Sequence, residues 1–79
     1  MSNEERFANT CQSFQAAIRE IALACNKEPI KVYALWRKYC SQCEFSDQSP
    51  LLWEFAEWYA AELGKAATEL QEIVRKHKL

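Results

Sequence analysis

Two cysteines, Cys40 and Cys43, form the one motif in the sequence with metal-ligand spacing, a CxxC. A tetrahedral zinc site needs two further ligands beyond this pair, usually a second CxxC or two histidines. Antiparallel packing of the helices predicted below would bring Cys11 towards the motif, whereas His77, the only histidine, falls at the far end of the last helix. A zinc site at Cys11, Cys40 and Cys43 is therefore an alternative. The interpretation that we favour is that all four cysteines are small hydrophobic residues of the core.

The CxxC also lacks the usual setting of a redox pair. A reactive dithiol usually stands at a helix N-terminus, where the helix dipole lowers the pKa of the thiol. Cys40 and Cys43 instead fall at the end of a predicted helix, where the dipole acts in the opposite direction. The motif therefore favours thiol redox chemistry even less than zinc binding.

The remaining residue types do not suggest a catalytic arrangement. Nucleophilic catalysis needs a base beside the nucleophile and a third group that orients the base, but His77 stands two residues from the C-terminus. A single glycine, Gly64, does not suffice for a phosphate-binding loop. Glu54, Glu57 and Glu62 fall on the flanks and outer side of a predicted helix, where glutamates are ordinarily solvated. We therefore predict that the protein is not an enzyme and holds no cofactor.

Composition and charge indicate a small folded helical domain over residues 1–79. The chain is 49% hydrophobic and 27% charged, with two prolines and one glycine, and so few turn residues favour helices over a β-rich fold. Its net charge of −1 provides no general attraction to nucleic acid or to anionic lipid. The polar start MSNEERFANT lacks the apolar stretch of a signal peptide, and no apolar run is long enough to span a membrane. We expect a cytoplasmic protein with no membrane partner.

The first two helices are predicted from their caps and from the spacing of apolar residues. Ser2 and Glu5 form a capping box, and an apolar seam with the spacing 4, 3, 4, 3, 4 follows it. The seam consists of Phe7, Cys11, Phe14, Ile18, Ile21 and Cys25. We expect one helix from about Ser2 to about Asn26, with Asn26 as a left-handed cap. A second helix should run from Pro29 to about Cys43.

The last helix is predicted to be long. Ser49 is expected to cap it, with Pro50 at the first helical position and a polar link before the cap. Its seam keeps one phase from residue 52 to residue 77 and passes Gly64 without a shift. The seam consists of Leu52, Ala56, Tyr59, Leu63, Ala66, Leu70, Ile73 and His77. We therefore expect a continuous helix from about Ser49 to about Lys76. The alternative is a C-cap at Gly64 followed by a short fourth helix.

Together these elements predict an all-α fold, a three-helix antiparallel bundle of long, short and long helices. Trp53 lies nearly opposite the inward stripe of the third helix, on the side of Ala60, and would point outwards. The third helix is longer than the second, so Leu70, Ile73 and Val74 would have little to cover them. A second copy of the chain is the simplest cover, and we expect a homodimer.

The predicted function is binding to a larger protein as a small adaptor, regulator or inhibitor, of the kind that phages and mobile elements also encode. The binding surface would be acidic and aromatic, because outward tryptophans are strong interface anchors. It would consist of Leu51, Trp53, Glu54, Glu57 and Trp58.

The alternative function is DNA binding by a small helical regulator. The second helix, the polar link and the third helix resemble a helix-turn-helix in outline. Lys31, Arg37 and Lys38 would provide a basic face on the second helix. The first fifteen residues of the third helix, however, hold three glutamates and no basic residue before Lys65, which would repel phosphates.

Overall fold

The computed structural model describes residues 2–43 and 52–77, and within these ranges every regular element is an α-helix. The helices are α1 (Asn3–Ala8), α2 (Gln12–Ala24), α3 (Pro29–Cys43), α4 (Leu52–Leu63) and α5 (Ala67–Lys76). The all-α class is confirmed, but the predicted number of helices is wrong, because each of the two long helices is divided. The predicted polar link, the Ser49 cap and Pro50 lie outside the described residues.

Several predicted helix ends are confirmed. The Ser2 hydroxyl accepts a hydrogen bond of 3.3 Å from the backbone N–H of Glu5, which is one half of the predicted capping box. Asn26 has a φ of 56° and ends α2 in the left-handed conformation. The helix α3 begins at Pro29 as expected. Asparagine tolerates this conformation and proline is preorganised for a first helical turn, so local residue preference determines both ends.

The predicted first helix is wrong because polar side chains interrupt it after Ala8. The Thr10 hydroxyl donates to the carbonyl of Phe7 at 2.6 Å. The Gln15 amide donates to the carbonyls of Ala8 at 3.1 Å and of Thr10 at 2.9 Å. Side chains thus satisfy the carbonyls of Phe7 and Ala8 at the end of α1. The Thr10 hydroxyl acts as short polar side chains do when they compete with the helical backbone. The apolar seam continues past this break, so periodicity alone did not reveal it.

The predicted continuous third helix is also wrong, and the alternative with a C-cap at Gly64 is confirmed. Gly64 has a φ of 69°. The N–H of Lys65 donates to the carbonyl of Ala60 at 2.8 Å, and the N–H of Gly64 donates to that of Ala61 at 3.2 Å. This pair of bonds is the Schellman arrangement that ends many helices at a glycine. The chain then turns over residues 64–66, and α5 packs against α4.

The helix α4 contacts α5 and α3. It packs extensively against α5, and its rings contact those of α3. The helix α3 also packs against α1 and α2, and α2 packs against α5. The buried side chains of α4 are Leu52, Phe55, Ala56, Tyr59 and Ala60. A helix that packs against two neighbours needs apolar residues on both of the faces it covers, which explains why this segment is so rich in them.

The packing of α5 against α4 and α2 buries residues that were predicted to lack cover within one chain. Leu70 and Val74 are fully buried, and Ile73 packs against the same core. The expected homodimer relied on these residues lacking cover within one chain, so that reason for expecting a second copy no longer applies. The physical cause is the reversal at Gly64, which lets α5 cover its apolar face on α4 and α2 instead.

Candidate functional site

The predicted partner surface lies on the part of α4 that its neighbouring helices leave open. Trp53 is 36% exposed, Glu54 and Glu57 are exposed, and Trp58 is half-buried. At about 100° per residue, the two tryptophans lie about 140° apart around the helix, and both glutamates fall between them. Leu51, the fifth predicted residue, lies outside the described residues. We call Trp53, Glu54, Glu57 and Trp58 the α4 surface.

Trp53 is exposed, as predicted, but its ring also contacts α5. The guanidinium carbon of Arg75, on α5, lies 5.9 Å from the centre of its ring, which is within the range of a cation–π contact. Ala60, on the same side of α4, is fully buried. That side of α4 therefore faces α5, and Trp53 lies at the border between the covered and the open part.

Trp58 is held from behind by a cluster of aromatic rings. Its ring centre lies 5.6 Å from that of Tyr39 and 5.9 Å from that of Phe55. Trp36 joins the same cluster, with its ring edge-on to Phe55 at 5.5 Å. Rings at these separations attract one another beyond the effect of burial alone. The cluster connects α3 to α4 and fixes Trp58 with one side packed and the other accessible.

A groove opens between α3 and α4 beside Trp58, and the sequence analysis did not predict it. Its volume is about 350 Å³. Its lining residues are Lys27, Lys31, Leu35, Trp58, Tyr59, Glu62 and Leu63. Leu35, Trp58 and Leu63 are each half-buried, so one side of each packs on the core and another faces the groove. We call this feature the α3–α4 groove. Its lining comes from two helices whose mutual position the sequence does not give.

A charged cluster joins the end of α5 to α2. Oε1 of Glu20 lies 2.9 Å from Nε2 of His77 and 3.2 Å from Nζ of Lys76. The hydrogen bond with His77, followed by that from Lys76, lowers the pKa of the Glu20 carboxyl below its ordinary value of 4.5. No local sequence pattern predicts this contact, because its residues are more than fifty positions apart and follow no motif.

The cysteines occupy different environments. Cys25 is buried, as predicted, and burial raises the pKa of its thiol. Cys11 is exposed and stands as the N-cap of α2, so the prediction that it is a core residue is wrong. Cys40 is half-buried, and the side chain of Cys43 lies outside what the structure describes. Within the described residues, no three His, Cys, Asp or Glu side chains come together as metal ligands would.

The basic residues of α3 bear on the alternative DNA-binding function. Lys31, Arg37 and Lys38 are all exposed, as the alternative DNA-binding function requires.

In residues 2–43 and 52–77, no helix has the length and apolar character needed to cross a membrane.

Comparison of the chain with protein-family models, with curated proteins and with solved structures finds no significant match.

Proposed function

We propose that the protein is a non-catalytic binding module that attaches to a larger protein through the α4 surface. The observation that carries the proposal is the placement of two exposed glutamates between two partly accessible tryptophans on one helix. Aromatic anchors supply much of the binding energy of protein interfaces, and a charged rim selects the partner and speeds its approach. The expected partner therefore offers apolar pockets for indole rings and basic side chains around them.

The fixed positions of the two tryptophan rings support the α4 surface as a binding site. Trp58 is packed against Tyr39 and Phe55, and Trp53 is held by Arg75, so neither ring has to be immobilised from a fully free state on binding. Ordering a side chain at an interface costs about 0.5–1.5 kcal/mol. A surface whose anchors are already positioned avoids part of this cost, which favours the use of α4 as a preformed binding face.

Charge favours a protein partner over nucleic acid at this surface. The helix α4 carries three glutamates and no basic residue in the sequence LWEFAEWYAAEL. Phosphate groups would be repelled there, whereas arginine and lysine side chains on a protein would be attracted. The role of adaptor, regulator or inhibitor follows from such binding without chemistry, and the partner would provide any activity.

The test is a tagged pull-down of the full chain from lysate of the source cell, with and without nuclease, read by mass spectrometry. We expect a specific protein partner that survives nuclease treatment, and we expect Glu54→Lys with Glu57→Lys to abolish its recovery by reversing the rim charge. Glu4→Lys with Glu28→Lys makes the same change of charge at exposed positions away from α4 and should retain the partner. Equal loss with both pairs would show that net charge, and not the α4 surface, controls binding.

A second pair of variants examines the aromatic anchor. Trp53→Ala should weaken recovery of the partner by more than tenfold if the indole is an anchor, since such residues contribute about 2 kcal/mol or more. Arg75→Gln removes the cation–π contact but leaves the indole in place, and should have a much smaller effect. Unchanged recovery with Trp53→Ala, in a variant that keeps its circular dichroism spectrum, would contradict the proposal.

The second candidate function is DNA binding through α3. It is supported by the exposure of Lys31, Arg37 and Lys38 along that helix. Changing these three residues to glutamine should abolish retention on a DNA column at moderate salt if the phosphates are bound there. Nuclease-sensitive recovery in the pull-down, lost with this triple variant, would place DNA binding ahead of protein binding.

A further inference from the structure

The α3–α4 groove combines apolar walls with a rim whose two sides differ in charge. Leu35, Trp58 and Leu63 provide apolar surface, and the ring of Tyr59, itself buried, lines the groove with them. Lys27 and Lys31 stand together on the rim at the start of α3, while Glu62 stands on the α4 rim. Two positive charges and one negative charge give the groove an excess positive charge, although the whole chain has a net charge of −1.

The two lysines are available to a ligand. Both are exposed, and within residues 2–43 and 52–77 neither forms an ion pair. The helices orient them towards the same opening, because Lys31 lies in the first turn of α3 and Lys27 in the link just before it. An anion bound between them would meet two ammonium groups without breaking an existing ion pair.

The size of the groove favours a small molecule over a helical segment of another protein. Its volume of about 350 Å³ is at the lower end of the range for small-molecule sites, about 300–1,000 Å³. The lining residues of α4 run from Trp58 to Leu63, which is only about 8 Å along the helix axis. A helix that docks by residues i, i+3, i+4 and i+7 needs about 11 Å for its anchors.

We propose that the α3–α4 groove binds a small amphipathic carboxylate, with its apolar part against Leu35, Trp58 and Leu63 and its carboxylate between Lys27 and Lys31. The position of Glu62 on the other rim gives the ligand one orientation, because it repels the carboxylate towards the lysines. This site goes beyond the proposed partner binding and does not depend on it. It shares only Trp58 with the α4 surface.

The test is a titration of the uniformly ¹⁵N-labelled full chain with octanoate, kept below the concentration at which it forms micelles. The indole N–H signals of the three tryptophans are followed and assigned with Trp→Phe variants. We expect a saturable shift of the Trp58 signal, with little change at Trp53, which does not line the groove. Octanol, which has the same tail without the charge, should bind more weakly. Absence of a saturable shift at Trp58, or equal affinity for octanol, would overturn the proposal.

Matched lysine variants separate the groove from general attraction to the surface. Lys27→Gln with Lys31→Gln should weaken octanoate about fivefold, which corresponds to two exposed ion pairs at the middle of their usual range. Lys38 is an exposed lysine of α3 that does not line the groove, so Lys38→Gln should leave the affinity for octanoate unchanged. If Lys38→Gln weakens binding as much as the double variant, octanoate is bound by diffuse charge and the proposed site is wrong. The double variant keeps Trp53, Glu54 and Glu57, so partner recovery can be scored separately.

Discussion

Replacing Gly64 by alanine tests the chain reversal that determines where α5 packs. The glycine has a φ of 69°, and a Cβ placed on it would meet no atom within 4 Å, so the effect of the substitution is conformational and not steric. An L-residue in the left-handed region costs about 1–2 kcal/mol. Alanine also reduces the conformational entropy of the unfolded chain, which offsets this cost by about 0.4–1 kcal/mol. The expected net loss in free energy of unfolding is about 1 kcal/mol.

Thermal and urea unfolding, followed by circular dichroism, measure this loss. For a domain of this size, about 1 kcal/mol lowers the Tm by about 4–8 °C. Gly64→Asn is the matched control, because Asn26 already takes a φ of 56° at the corresponding position after α2. It should cost less than alanine. Chemical synthesis with D-alanine at position 64 should instead raise the Tm, since a D-residue favours positive φ.

A gain in stability on Gly64→Ala would show that α4 and α5 form one helix. Alanine is the best helix former, and in a continuous helix it would be more stable than glycine by about 0.8–1.0 kcal/mol. A higher Tm for Gly64→Ala, together with more helical signal at 222 nm, would therefore refute the reversal. The chain reversal and the continuous helix predict changes in Tm of opposite sign, so the experiment does not depend on an accurate magnitude.

Three further predictions concern the core, the charged cluster and the thiols. Leu70→Ala should lower the free energy of unfolding by about 2–5 kcal/mol, because the side chain is fully buried between helices; a loss below 1 kcal/mol in urea unfolding would show that α5 does not dock. Hydrogen bonding to His77 lowers the folded pKa of Glu20, so its stabilising contribution is present above pH 4.5 and disappears as the pH falls through the folded pKa. The wild type should therefore lose more stability than Glu20→Gln between pH 6 and pH 3 in urea unfolding, and parallel pH profiles would contradict the contact. Iodoacetamide should modify exposed Cys11 well before buried Cys25, whose thiol pKa is raised by burial, as peptide mapping by mass spectrometry would show; equal rates would contradict the burial.

The sequence predicted those features of the fold that depend on local residue preference. The all-helical class, the cap at Ser2, the left-handed residue at Asn26 and the start at Pro29 were all predicted correctly. The class follows from the scarcity of proline and glycine and from the helical spacing of apolar residues, and each of the helix ends follows from the conformational or hydrogen-bonding preference of one or two residues. The sequence also indicated that α4 carries the exposed glutamates Glu54 and Glu57.

The division of the first helix was not predicted, and the division at Gly64 was predicted only as an alternative, because apolar periodicity does not report the direction of the chain. Helices on both sides of a break line the same core, so the apolar seam keeps its phase through Gly64 and past Thr10. The preference of Gly64 for a left-handed cap was a local signal that could have outweighed the seam. The contact between Glu20 and His77 and the α3–α4 groove depend on the arrangement of distant helices, which no local pattern contains.

The packing of α5 on α4 and α2 also has a consequence for folding kinetics. The helices α4 and α5 are joined by residues 64–66 alone, so their hairpin closes at little cost in chain entropy and we expect it to form within microseconds. Contact of α5 with α2 instead brings together residues such as Glu20 and Lys76, which are 56 positions apart in the chain. Nonlocal contacts of this kind slow folding. We therefore expect the docking of the preformed α4–α5 hairpin onto α2 to limit the rate at which the chain folds.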